Sequence, residues 1–211
     1  MWRDNLWFSF CDREADVFGV NRIRATNKGY ARYSTCLVID GIPMPWANKV
    51  PLQHVGKFDR LTDSNMTYEV VKPLEQMRIT FDGEKYGFDL VYTGRFPVFD
   101  YNNCHGGNPL KSAGEYGGHY EQGLHCQGEF EVRRGPRTGL RKIDCFAHRD
   151  YSRTDRFRQE PPWQYRPVDL QDSLEHFWPS IQTDDKHLNA FGFMNPDHSP
   201  ANPETAMSFR Y

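Results

Sequence analysis

Two-residue alternation is the feature that most constrains this chain. Ala31, Tyr33, Thr35, Leu37 and Ile39 share one parity, and Asp40-Gly41 follows at once. Successive side chains of an extended chain point to opposite faces, so such a run is a strand with one covered face. Asp-Gly then supplies the positive-φ positions of a tight hairpin turn. Met77, Ile79 and Phe81 alternate in the same way, Asp82-Gly83 closes the run, and Phe88, Leu90 and Tyr92 resume it. That pair predicts an antiparallel hairpin. Further strands are expected at residues 128–133, 140–152, 187–194 and 206–211, and the one helix the pattern allows is short, over residues 170–177.

Strands joined by short turns predict an all-β antiparallel meander, either a barrel or a sandwich. A barrel of about eight strands can enclose one small ligand or be filled by its own side chains, and alternation leaves both open. Residues 102–118, rich in Gly and Asn, read as a long loop, a kind of segment that is often functional.

Several function classes are excluded early. A net charge of -2 gives no basic footprint for nucleic acid or an acidic membrane. No run approaches membrane-spanning length, and Met1 to Asn5 opens no apolar leader. Cys11, Cys36, Cys104, Cys126 and Cys145 are odd in number and irregular in spacing, which predicts free thiols in a reducing compartment and hence a cytoplasmic protein. His105-Gly106-Gly107 and Gly117-Gly118 precede no helix, so no phosphate loop is expected. His119, His125, Cys126, Cys145 and His148 fall on neighbouring strands but lack ligand spacing. The expectation is neither metal nor organic cofactor.

The stretch richest in chemistry runs from Ile143 to Ser152. Alternation puts Asp144, Phe146, His148, Asp150 and Ser152 on one face, and Ile143, Cys145, Ala147 and Arg149 on the other. An unpaired buried polar group costs roughly 2–7 kcal/mol. A face with two carboxyls, an imidazole and a hydroxyl is therefore solvated, or it lines a polar site where those groups pair. His148 and Asp150, about 7 Å apart along a strand, could act on one ligand. The plain alternative is an exposed edge with an Asp–Arg pair before a turn.

Three segments carry a family resemblance: His119-Tyr120-Glu121-Gln122, Gly128-Glu129-Phe130, and Ile143 through Arg156. Together they resemble the hinge of lipocalin-like hydratases and cyclases, the group of hydroxyneurosporene synthase (carotenoid 1,2-hydratase) and the AttH-like two-domain proteins. The mark of that group is Arg-Asp-His-Ser-Trp-Gly-x-Arg, opening a second β domain. Arg149, Asp150, Ser152 and Arg156 match it, Tyr151 stands where the group has His, and Arg153-Thr154 replaces Trp-Gly. Trp7 to Phe10, Asn21-Arg22-Ile23 and the run from Tyr30 to Gly41 are similar to the first domain's opening strands.

The resemblance implies a lipocalin-like (calycin-type) fold with a first domain over residues 1–118 and a truncated second one over 119–211. It implies cofactor-independent acid catalysis on a hydrophobic terpenoid-, steroid- or polyketide-like molecule, with Asp150 as the acid, Tyr151 in the place of the group's His, and His148 nearby. Arg149, Ser152, Arg156, Tyr120 and Phe146 are the expected substrate-side residues, Arg149 in particular pairing a carboxylate and Arg156 anchoring the turn. Trp163 is a candidate for the cavity mouth, an ordinary core aromatic being its simpler role. Two other readings stay open: a non-catalytic binder of an apolar ligand, and a subunit completed by a partner. Too few strands follow Ser152 to close a second barrel, so the later strands are expected to pair with the first domain or with another chain as an oligomer. Phe191, Phe193, Met207 and Phe209 would be buried in that contact.

Overall fold

The computed structural model describes residues 2–52, 56–57, 59–103, 118–155, 175–177, 180–194 and 207–210. The first strands are β1 (Trp2–Asp12), β2 (Val17–Thr26), β3 (Tyr30–Ile39) and β4 (Ile42–Pro51). Next come β5 (Gly56–Lys57), β6 (Arg60–Thr62), β7 (Met66–Lys72), β8 (Gln76–Asp82), β9 (Tyr86–Gly94) and β10 (Phe99–Asp100). A 3-10 turn at Tyr101–Asn103 precedes β11 (His119–Val132) and β12 (Gly139–Asp155). These strands form one antiparallel sheet in the order β4-β3-β2-β1-β12-β11-β9-β8-β7-β6-β5, with β10 beside β11. The fold is all-β and lipocalin-like, a sheet curled into a half-barrel.

The expected hairpins are present. Ile39 pairs with Ile42 across Asp40 (φ 52°) and Gly41 (φ 75°), and β8 pairs with β9 from Gln76–Thr93 to Asp82–Gly87. Two glycines inside strands let the sheet coil. Gly19 (φ +141°) and Gly128 (φ +153°) sit so close to the neighbouring strand that a Cβ would lie 2.1 Å from Cys36 O and 2.0 Å from Asp89 O. Only glycine fits there.

Curling turns one face inward, and that face is filled. Phe8, Tyr33, Leu37, Ile39, Tyr68, Ile79, Leu90, Tyr92 and Phe130 are all buried in one cluster, so the alternating inner residues form a packed core. Several polar atoms within it are paired: Asn21 donates to Tyr92 OH at 3.1 Å, and Tyr86 OH donates to Met44 O at 3.0 Å. The two halves of the sheet meet through side chains as well, with Asn48 of β4 donating to Asp63 Oδ2 at 2.9 Å.

A separate four-stranded sheet holds β13 (Glu175–Phe177), β14 (Ser180–Gln182), β15 (His187–Met194) and β16 (Met207–Arg210), with β15 pairing the other three. The helix expected over residues 170–177 is corrected at its end: residues 175–177 are a strand held by pairing with β15, and residues 170–174 lie outside the described residues. So do residues 104–117 of the expected loop and the side chains of Phe191, Phe193, Met207 and Phe209. No helix among the described residues is long and apolar enough to cross a membrane.

Candidate functional site

β11 and β12 are each built as two-faced strands. Leu124, Cys126 and Phe130 of β11, and Ile143 and Ala147 of β12, enter the core. The opposite parity, His119, Glu121 and Gly123 on β11 with His148, Asp150 and Ser152 on β12, lies on the outer face. Register brings these together: Glu121 stands opposite Asp150, His119 opposite Ser152, and Gly123 opposite His148.

This outer patch is covered. Glu121 is fully buried, while His119, at 3 % exposure, and His148, at 7 %, are nearly so. One cover is the turn after β10, where Tyr101 OH donates to Glu121 Oε1 at 2.7 Å and its ring lies 4.4 Å from that of His119. The other is β14. Gln182 donates to Ala147 O at 2.5 Å and accepts from Arg95 Nη1 at 3.1 Å. It reaches that far because Gly123 has no side chain; a Cβ there would meet Gln182 Oε1 at 2.8 Å and Phe96 at 2.9 Å. Farther along the same face Asp144 is solvent-exposed beside His125, 2.5 Å away. The polar face is thus an open edge at one end and a closed site at the other.

The groups inside form a connected set. His119 Nε2 lies 3.3 Å from Glu121 Oε1 and 3.7 Å from Asp150 Oδ2, and His148 Nε2 lies 3.6 Å from Glu121 Oε2. Ser180 Oγ bridges His148 Nδ1 at 3.1 Å and His187 Nε2 at 2.9 Å. Burial, with the positive charge of neighbouring groups, holds His148 to a pKa of about 3; burial, then Arg95, holds His187 to about 4. Both rings are neutral at pH 7, so each carries one N–H. A hydroxyl donates once, so Ser180 donates to one of these rings and accepts an N–H from the other. The other nitrogen of His148, Nε2, faces Glu121. The result is a file of exchangeable protons from the small sheet to a buried pair of carboxyl groups. His119, Glu121 and Asp150 each offer a ligand atom, all within 4.8 Å of one another, a spacing a divalent ion could bridge. Tyr101 and His119 engage Glu121 Oε1, while Glu121 Oε2 is buried with no hydrogen-bond partner among the described residues.

The expected site residues divide between the faces. Asp150 and His148 come together, with Ser152 and Phe146 on the same face; Phe146 lies under the Arg95 guanidinium, 3.7 Å from its ring centre. Tyr151, Tyr120 and Arg149 point to the inner side. Tyr151 stacks on Tyr120 at 4.7 Å, and its hydroxyl is held above the usual phenol range by burial and Asp4. Arg149, expected to pair a carboxylate, instead donates to Leu74 O at 3.0 Å and lies over Tyr120; strand parity turns it away from Asp150. Arg156 and Trp163 lie outside the described residues. Glu121, Tyr101, Ser180 and His187 were not anticipated as site members. A signal for Glu121 was present, since His119-x-Glu121 on one strand mirrors His148-x-Asp150 on the next.

Comparison with solved structures places the fold. Kievitone hydratase from Nectria haematococca superposes with a TM-score of 0.55 at 12% identity, over 98% of this chain and 63% of that one. This chain therefore spans less than two thirds of that protein's length, and the likeness is one of fold. Comparison with curated protein sequences yields no match. The family described as Domain of unknown function (DUF7064) matches residues 1–210, nearly the whole chain, and the protein belongs to that family.

Proposed function

We propose that the protein is a cofactor-independent hydratase, dehydratase or cyclase-type lyase that works by acid catalysis on a hydrophobic small molecule. The observation that carries this reading is the buried carboxyl–imidazole–carboxyl set of Glu121, His119 and Asp150, placed between two sheets in a fold shared with a hydratase. Asp150, at 15% side-chain exposure the most open member, is the group that meets substrate. In the hydration direction its carboxyl O–H gives a proton to one alkene carbon, and the neighbouring carbon takes the positive charge. Water adds there, and the proton it sheds returns to the cluster, so one water is consumed and the acid is restored. His119 holds the proton between the two carboxyl groups, and the Glu121–His148–Ser180–His187 file exchanges it with the small sheet. Phe146 and Ser152 share the face with Asp150 and are the substrate-side residues on this reading. Tyr151, Tyr120 and Arg149 act behind the strand as positioning groups. The division expected between residues 118 and 119 falls where the chain enters β11; on this reading β11 and β12 are shared strands, and β13–β16 are the sheet of a second unit. The 63% span of kievitone hydratase favours one further reading, a site completed by another chain.

The test is turnover of a panel of terpenoid, steroid and polyketide alkenes and tertiary alcohols, followed as ¹⁸O uptake from labelled water. Asp150→Asn and Glu121→Gln should each lower turnover by about 10²–10⁴-fold with the circular dichroism unchanged. Full turnover in both variants would refute acid catalysis at this cluster. Tight binding of a panel member without turnover would make the protein a binder.

A further inference from the structure

On the outer face of β2, β3 and β4 lies a groove of about 390 Å³, lined by Arg22, Arg24, Arg32, Ser34, Cys36 and Trp46 among others. No acidic side chain lines it. Register makes the arrangement stranger still. Arg24 is directly opposite Arg32, and Arg32 is directly opposite Lys49, so three cations stand side by side across three strands. Like charges facing each other across a sheet oppose pairing. No ion pair to Arg24 or Arg32 occurs among the described residues, and Arg24 Nε is buried with no hydrogen-bond partner there. A buried guanidinium N–H without an acceptor is a costly thing to leave in a strand. It makes sense where an acceptor arrives from outside.

We infer that Arg24, Arg32 and the edge of Arg22 form a subsite for an oxyanion, a carboxylate by preference, carried on a small flat apolar body. The site is already shaped for this. Arg22 is fixed by donating from Nε to Asn5 Oδ1 at 2.6 Å and by lying over the Trp7 ring, 5.6 Å from its centre. Its orientation is therefore set before any ligand binds, and a fork of fixed N–H donors suits a carboxylate. The groove is large enough for a small aromatic or polycyclic acid.

The place of the groove adds to its meaning. Arg22 is in register with Trp7, and Trp7 with Asp150. The subsite and the acid cluster therefore share one face and one row of the sheet, two strand spacings or about 10 Å apart. A ligand of that length, anchored by its anionic end, would lay its far end across Trp7 toward Asp150. Only this last step, that the anion and the reacting carbon belong to one molecule, rests on the acid-catalysis reading.

The experiment is a titration followed by the side-chain Nε–Hε signals of ¹⁵N-arginine-labelled protein, using 2-naphthoate, its uncharged counterpart 2-naphthamide, and inorganic phosphate. A saturable shift of the Arg24 signal with naphthoate is expected, with naphthamide and phosphate at least about tenfold weaker, and with Arg24→Gln and Arg32→Gln each weakening naphthoate about tenfold or more. The ligand-free variants should melt at the wild-type temperature or above it, since a like-charge contact has been removed, while naphthoate should raise the melting temperature of the wild type alone. Equal binding of amide and carboxylate, shifts that do not saturate, or unaltered binding by Arg24→Gln would overturn the assignment. Phosphate binding tighter than naphthoate would overturn the carboxylate preference and make the ligand a phosphoryl group. None of these readouts needs turnover, so an inactive enzyme leaves the subsite standing, and a missing subsite leaves the acid cluster untouched.

Discussion

His148 shows how burial sets the chemistry of one residue. Desolvation by burial, reinforced by the positive charge of neighbouring groups, holds its ring neutral. The folded-state pKa of about 3 lies below the unfolded value near 6.5. Between those values the unfolded chain binds a proton that the folded chain refuses, so this contribution to stability is fully present above pH 6.5 and is lost as pH falls toward 3. His187, held to about 4, behaves alike over a narrower window. Each can cost up to about 1.4 kcal/mol per pH unit within its window. Urea unfolding at pH 7 and pH 5 should show wild type losing more stability than His148→Gln over that step. Equal losses would show that the ring is not held neutral.

Among the elements, β12 was legible as an alternating strand and β11 only over its end from Gly128, and Asp144, His148 and Asp150 do share one face. What covers that face was not legible, because the contact depends on a strand some thirty residues farther on. Ser180 and Gln182 carry no periodic mark, and a single glycine, Gly123, decides whether β14 can lie down at all. Gly123→Ala would press a methyl group against Gln182 Oε1 and Phe96. Arg95, whose Nη2 donates to Thr183 O at 3.0 Å, is the other fastening. Gly123→Ala is expected to cost about 1–3 kcal/mol, read as faster amide hydrogen exchange in β14 and β15 while β1–β4 stay protected. Equal protection throughout would mean that the small sheet docks by other contacts.

For the molecule as a whole, the inner parity of the strands announced a core but not whether it was full. Volume settles that, because the curled sheet closes on Phe8, Tyr68 and Tyr92, the two tyrosine rings lying 6.0 and 5.0 Å from that of Phe8. Phe8→Ala should therefore cost about 3–5 kcal/mol, seen as a lowered urea midpoint; a loss under about 1 kcal/mol would mean that the interior is slack. Strand order has a further consequence, for the making of the protein on the ribosome. The early strands β1–β4 and the later β7–β9 and β11 belong to two halves of one sheet, and β12, last in sequence of that sheet, is the strand that joins them. Until Gly139–Asp155 has emerged, β1 waits with a bare edge, and the nascent chain has neither a finished core nor His148 and Asp150. Synthesis order thus makes assembly of the core and arrival of His148 and Asp150 a single late event, and a chain that stalls before β12 should be one that chaperones must hold.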